Sequence, residues 1–153
     1  MPKLVSLEEF RNSAGRTLEP SGWLEITQQR VNQFADATDD HQFIHVDPQK
    51  AAQTPFGGTI AHGYLTLSML VHLNAESALR PEGMAMIINY GSNRVRFLSP
   101  VRVGSRIRSL QTILKVSERS RGTWMVETGV TVEIEHASKP AMKAEVLSLY
   151  IIR

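Results

Sequence analysis

The chain of 153 residues contains no cysteine, which excludes disulfide bonds, thiolate metal ligands and a cysteine nucleophile. Lysine and arginine exceed aspartate and glutamate only by 17 to 15, and aromatic residues make up 7% of the sequence. So small a positive excess with so few aromatics predicts no nucleic-acid partner. The N-terminus, MPKLVSLEEF, lacks the uninterrupted apolar stretch of a signal peptide. We therefore expect a cytoplasmic protein.

No apolar run is long and pure enough to predict a membrane span. The strongest candidate, HGYLTLSMLVHLNAESAL at 62–79, contains several polar residues and the charged Glu76, which are costly in hydrocarbon. Its apolar residues are spread around the whole circumference of a helix, which indicates burial on every side. The sequence predicts no membrane contact and a single central helix over 62–79.

The chain after Pro81 is typical of strands almost to its end. Turn signals separate four predicted strands, and the short links between them indicate antiparallel pairing. Their predicted bounds are 84–98, with a break around 91–92, then 106–117, 123–135 and 141–152. Upstream we predict a short strand at 23–26 and three short helices, at 7–12, at 28–37 and from 47 to about 53. The size and pattern predict one α+β domain over 1–153, with an antiparallel sheet wrapped around the 62–79 helix.

The densest polar cluster lies just before the central helix and comprises Asp39, Asp40, His41, His45 and Asp47. Asp40 and His45 are separated by a segment that cannot be regular helix, so a bend could direct a carboxylate and an imidazole at one water molecule. Such a pair can accept and donate a proton near neutral pH. The same residues also fit a turn or cap and a structural histidine. Neither an HxxxH nor an HxH spacing is present, and we predict no metal.

Two further features allow both a functional and a structural interpretation. Gly63 begins the central helix, where backbone N–H groups lack internal partners, so its N–H could stabilise negative charge on a substrate carbonyl. Alternatively, Gly63 only permits a tight turn or close packing. The arginine-rich segment could bind a phosphate-bearing ligand or form a solvated strand face. Its arginines are Arg94, Arg96, Arg102, Arg106 and Arg108.

TDDHQFIHVDPQKAA, followed by TPFGGTIAHGYLTLSML, resembles the MaoC-like (R)-specific enoyl-CoA hydratases, and in particular their single-domain, NodN-like branch. The family hallmark is Gly-Asp-x-Asn-Pro-(Ile/Leu)-His-x-Asp-Pro. The matching residues are Asp40, Ile44, His45, Asp47 and Pro48. Ile88-Asn89-Tyr90-Gly91 and Val95-Arg96-Phe97-x-x-Pro-Val are also similar to that branch. Three positions depart from the hallmark, with Asp39 for Gly, Gln42 for Asn and Phe43 for Pro. If the first position requires a glycine-type backbone angle, Asp39 is strained there.

The resemblance implies a hot-dog fold, a homodimer whose sheets join, and a tunnel for the acyl chain near the dimer interface. It implies that Asp40 and His45 are the catalytic pair and that Gly63 is the backbone donor to the substrate oxygen. The residues expected to bind the acyl-CoA substrate are His62, Asn89, Arg94 and Arg96. No cofactor is expected.

The expected reaction is the reversible hydration of a trans-2-enoyl thioester to the (R)-3-hydroxyacyl thioester, a lyase reaction of fatty-acid metabolism. Two alternatives stay open at this stage. A hot-dog thioesterase would hydrolyse the same kind of substrate, and a non-catalytic protein would only bind the acyl thioester.

Overall fold

A computed structural model describes residues 2–153 of the chain. The helices are α1 (Leu7–Arg11), α2 (Gln28–Thr38), α3 (Phe43–Val46), α4 (Pro48–Ala51), α5 (Gly63–Ser68) and α6 (Leu70–Ala75). The strands are β1 (Lys3–Val5), β2 (Leu24–Glu25), β3 (Leu79–Pro81), β4 (Met84–Phe97), β5 (Arg106–Ser120), β6 (Thr123–Ile134) and β7 (Met142–Ile152).

The four long strands predicted from the sequence are confirmed. They form one antiparallel sheet with the short β2, in the order β2-β5-β6-β7-β4. Strand β4 is therefore an edge strand that pairs on one side only, with β7. Its register shifts between Asn89 and Gly91, where the break was predicted, and again between Asn93 and Arg96. Arg94 has a φ of 52° within this second irregularity.

The predicted single helix over 62–79 is wrong in its bounds. Two consecutive helices, α5 and α6, meet at Met69 and end at Ala75. Leu79, which the sequence pattern placed in the helix, begins β3 and pairs in parallel with Lys3 of β1. Helical periodicity cannot report this pairing, because the partner strand is remote in sequence. No helix among residues 2–153 is long and apolar enough to cross a membrane.

Burial of this helical segment on every side is also wrong for the isolated chain. Tyr64 is 71% exposed and Val71 is 63% exposed, whereas Leu65, Leu70 and Leu73 are buried. The buried side chains contribute to a core cluster with Val130, Val132 and other residues of the sheet. The segment thus packs against the sheet with one face and leaves an apolar face open.

The predicted helix starts are confirmed by their side-chain caps. Ser6 Oγ accepts the Glu9 N–H at 3.0 Å, Thr27 Oγ1 accepts the Arg30 N–H at 3.2 Å, and Asp47 Oδ1 accepts the Lys50 N–H at 3.1 Å. These bonds satisfy N–H groups that the first turn leaves unpaired. Helix α3 was not predicted, and it contains His45, which is buried.

Candidate functional site

Asp40 is positioned by the turn that ends α2. Asp39, the last cap residue of that helix, has φ 58° and ψ 22°, in the left-handed region that glycine adopts most easily. The position therefore has the backbone angle that the hallmark glycine suggests. The turn brings the Asp40 carbonyl within 3.0 Å of His62 Nε2 and directs the Asp40 carboxylate towards the same ring, with Oδ2 3.9 Å from Nε2.

His45 is buried, and one hydrogen bond determines which of its nitrogens carries the proton. Its Nδ1 lies 2.7 Å from the Ile60 carbonyl oxygen. Because a carbonyl can only accept, Nδ1 carries the proton, and Nε2 of the neutral ring is left as an acceptor. The Ile60 N–H in turn donates to the Ile44 carbonyl at 3.0 Å. These two bonds join the loop before α5 to the turn that carries His45.

The environment of His45 favours its neutral form. Burial lowers the pKa of its imidazole below the ordinary 6.5, and the neighbouring His62 acts in the same direction. The hydrogen bond to the Ile60 carbonyl opposes this lowering of the pKa and is the second-largest influence after burial, and the Asp40 carboxylate opposes it as the smallest influence. The lone pair on Nε2 is therefore available for a proton near neutral pH.

The Gln28 side chain holds the backbone around His45 in place through three hydrogen bonds. Its Nε2 donates to the His45 carbonyl at 2.8 Å and to Asn32 Oδ1 at 2.9 Å, and its Oε1 accepts the Thr59 hydroxyl at 2.6 Å. These three bonds connect α2, the turn that carries His45, and Thr59, the residue before Ile60. Sequence reasoning missed Gln28, since a glutamine in the first turn of an amphipathic helix carries no signal of such a role.

His62 contacts both candidate catalytic residues. Its ring stacks on that of His45 with centroids 3.8 Å apart and planes 23° apart, and its Nε2–H donates to the Asp40 carbonyl. Its side chain is only 3% exposed, and within residues 2–153 its Nδ1 has no hydrogen-bond partner. The expectation that His62 binds substrate is untested and stays a prediction.

One potential metal-ligating atom from each of Asp40, His45 and His62 lies within 4.8 Å of the other two. This brings together the carboxylate and imidazole that the sequence singled out. Such a trio can position a water molecule between an acceptor carboxylate and an acceptor imidazole nitrogen. The same donor types can also ligate zinc at about 2.0–2.1 Å, and the expectation of no metal stays a prediction.

Gly63 is the first residue of α5 and borders a cavity of about 300 Å³, together with Ile60 and Phe97. No acceptor for its N–H occurs among the described residues. A Cβ at this position would lie 3.1 Å from the Phe97 ring, so the glycine also serves close packing. Both interpretations of Gly63 are therefore compatible with its surroundings.

Residues 9–137 match the family described as MaoC like domain. The chain belongs to the MaoC-like family. It is 45% identical over 151 residues to 3-hydroxyacyl-thioester dehydratase Z of Mycobacterium tuberculosis (strain ATCC 25618 / H37Rv), covering 99% of both chains. It is also 45% identical over 146 residues to Nodulation protein N of Rhizobium meliloti, covering 95% of this chain and 91% of that protein.

The fold of this MaoC-like protein is the expected hot-dog fold. The unliganded R-hydratase PhaJ1 from Pseudomonas aeruginosa superposes with a TM-score of 0.74 and 23% identity, over 92% of this chain and 83% of that one. In this chain the curled antiparallel sheet packs against the helical segment formed by α5 and α6.

The other predicted substrate-binding residues of the MaoC-like chain lie on β4, apart from the Asp40, His45 and His62 trio. Arg94 points its guanidinium to Glu145 at 3.5 Å, and Arg96 donates to the Val95 carbonyl at 2.8 Å. Asn89 lines a second cavity, of about 490 Å³, between α5, α6 and the sheet. The fold of one chain brings none of the three into contact with the trio.

Proposed function

We propose that this MaoC-like protein catalyses the reversible hydration of trans-2-enoyl-CoA to (R)-3-hydroxyacyl-CoA. The observation that carries the proposal is the meeting of the Asp40 carboxylate with a buried, neutral His45 whose Nε2 is free to accept. The 45% identity to a protein named 3-hydroxyacyl-thioester dehydratase Z supports the same reaction class.

In the proposed mechanism, one water molecule lies between Asp40 and His45. The Asp40 carboxylate accepts a hydrogen bond from one O–H of the water, and His45 Nε2 accepts a hydrogen bond from the other O–H. These two bonds hold and polarise the water. As the hydroxyl adds to C3 of the enoyl group, Asp40 takes the proton. Asp40, which then holds that proton, returns it to C2 on the same face. A positioned acid or base of this kind contributes about 10²–10⁴-fold to the rate.

Negative charge develops on the thioester oxygen as water adds. The Gly63 N–H is the proposed donor to that oxygen, because it opens a helix beside the trio and has no acceptor within the described chain. One such donor is worth about 10²–10³-fold in kcat. Within the proposal, Arg94 and Arg96 bind the phosphates of CoA. Asn89 contacts the acyl group in the 490 Å³ cavity that it lines, and His62 lies beside the reacting group.

The proposed assembly is a homodimer. Its contact surface is the β4 patch, which we define as the exposed apolar side chains of β4 and of the facing helices. Its members are Tyr64, Val71, Met86, Ile87, Ile88, Tyr90 and Phe97. Strand β4 is long, is unpaired along its outer edge and exposes much apolar surface, and these features favour association with another chain. A cytoplasmic role in fatty-acid metabolism completes the proposal.

Purified protein mixed with crotonyl-CoA tests the reaction, with a thiol reagent in a parallel sample. Loss of the conjugated enoyl-thioester absorbance without free thiol, and with (R)-3-hydroxybutyryl-CoA as product, is the expected result. Release of free thiol would instead identify a thioesterase. Binding of the ester without loss of absorbance would favour a non-catalytic acyl-thioester binding protein.

A further inference from the structure

A band of polar side chains crosses the inner, helix-facing side of the sheet. We define the polar band as Asn74 of α6 with four strand residues, Asn89, Gln111, Thr128 and Ser148. Gln111 is only 4% exposed and Thr128 only 9%. Burying polar groups is unfavourable unless they are hydrogen-bonded, so a band at this depth requires a physical explanation.

The polar band separates two apolar clusters of the core. Val130, which pairs with Gln111 across β5 and β6, belongs to the cluster around α5 and α6. Ile113 pairs with Thr128, and Val126 pairs with Ser148; both belong to the cluster around Phe10. Apolar residues thus continue on both sides along the same strands. The polar side chains between them interrupt what would otherwise be one apolar inner face.

Some side chains of the polar band form hydrogen bonds within the protein, and the pattern of these hydrogen bonds leaves specific acceptor atoms free. Gln111 Nε2 donates to the Asn74 carbonyl at 3.2 Å and to Ser77 Oγ at 2.8 Å, while Asn74 Oδ1 accepts the Ser109 hydroxyl at 2.6 Å. Both N–H bonds of the Gln111 amide are then used, so its remaining polar atom is Oε1. Among residues 2–153, neither Gln111 Oε1 nor the Thr128 hydroxyl forms a hydrogen bond, and neither is a fully buried unpaired atom, so both are open to the 490 Å³ cavity that their side chains line.

The 490 Å³ cavity begins one helical turn beyond Gly63 and extends along the helical segment. Its helical wall begins at Leu67, one turn after Gly63, and continues through Leu70 and Val71 to Asn74. At 1.5 Å per residue these positions lie about 6–16 Å from Gly63 along the axis. An extended polypeptide spans about 3.3–3.6 Å per residue, which contains three backbone bonds. An extended acyl chain therefore advances roughly 1.2 Å per bond. Gln111 bonds to the Asn74 carbonyl, so an acyl group held at Gly63 by its thioester needs about fourteen carbons to end roughly 16 Å away, level with the polar band.

We infer that the acyl group of the natural substrate carries a polar substituent, such as a hydroxyl, that hydrogen-bonds to Gln111 Oε1 and Thr128 Oγ1. This inference rests on the proposed hydration and specifies its substrate class. An alkyl chain in the same cavity would displace water from both acceptors and leave them unpaired. A site built to bond a substrate hydroxyl discriminates against the analogue that lacks it.

The test compares trans-2-tetradecenoyl-CoA with its 14-hydroxy derivative, using kcat/KM for hydration by the full chain. The wild-type protein is expected to prefer the hydroxylated ester by about tenfold or more. Thr128→Val, which is nearly isosteric, should reduce this preference by raising kcat/KM for the alkyl ester and lowering it for the hydroxylated one. Gln111→Leu should act in the same direction. Thr131→Val, the same change on the same strand but outside the cavity lining, should leave the preference unchanged.

Two results would overturn the inference. One is equal kcat/KM for both esters in the wild-type protein, and the other is an unchanged preference in Thr128→Val. Hydration of crotonyl-CoA with no turnover of either fourteen-carbon ester would also overturn it, because the cavity would then not receive the chain. If crotonyl-CoA is not hydrated either, the proposed function itself fails. The thermal midpoint of each variant shows whether Gln111→Leu has lost stability along with its bonds to Asn74 and Ser77.

Discussion

Replacing Asp39 tests whether the turn that presents Asp40 is strained. A left-handed backbone costs an L-residue about 1–2 kcal/mol, and Asp39 has a φ of 58°. Glycine removes this cost but loses about 0.5–1 kcal/mol more conformational entropy on folding. The difference predicts that Asp39→Gly gains about 0–1.5 kcal/mol from the backbone alone, with a midpoint of ~0.75 kcal/mol.

A second contribution comes from charge. Asp36, Asp39 and Asp40 all lie at the C-terminal end of α2, where the helix dipole disfavours negative groups. Removing one such charge is worth about 0.3–1 kcal/mol. Asp39→Asn loses the charge and keeps the side chain, so comparing it with Asp39→Gly isolates the backbone effect.

Thermal unfolding followed by circular dichroism measures both variants, at one protein concentration because self-association shifts the midpoint. For a chain of this size, each kcal/mol corresponds to about 2–4 °C. We expect Asp39→Gly to melt highest, Asp39→Asn next and the wild-type protein lowest. An Asp39→Gly variant that melts at or below Asp39→Asn would refute the argument from backbone strain.

Three further predictions concern the proposed site and assembly. Because burial lowers the pKa of His45, kcat/KM should stay level as the pH falls to 6.5 and decline only below it. The free energy of unfolding should also fall below pH 6.5, because the unfolded chain then binds the proton more readily than the folded chain. A decline in kcat/KM that starts above pH 6.5 would contradict this. Gln28→Leu should lower kcat by up to about 10²-fold with little change in KM, whereas Gln33→Leu, exposed on the same helix, should not. Ile88→Asp in the β4 patch should yield monomers in sedimentation experiments, while Leu114→Asp, equally exposed on β5, should leave the assembly as it is; dimers of Ile88→Asp would argue against the patch.

Local signals in the sequence were sufficient for most of the secondary structure. Ser6, Thr27 and Asp47 cap helices through bonds to residues three positions ahead, so the sequence contains both partners within one turn. The long strands were predicted from turn signals and from alternation such as that of Val126, Thr128 and Val130. Neither kind of signal depends on tertiary contacts.

Features that depend on distant partners were not predicted. Leu79 is a strand residue because it pairs with Lys3, and apolar periodicity continued the helix through it. Gln28 has a role only because α2 packs beside the His45 turn and Thr59. The pairing of Asp40 with His45 was accessible because their spacing matched a known family motif. Spacing alone left a turn residue and a structural histidine as alternative explanations.

The central claim is that Asp40 accepts a proton from the attacking water. Measuring kcat for crotonyl-CoA hydration by Asp40→Asn tests it most directly, because asparagine keeps the shape of the side chain and removes the base. The account predicts a fall of at least about 10²-fold, with an unchanged thermal midpoint. An Asp40→Asn variant that hydrates crotonyl-CoA at the wild-type rate would contradict it.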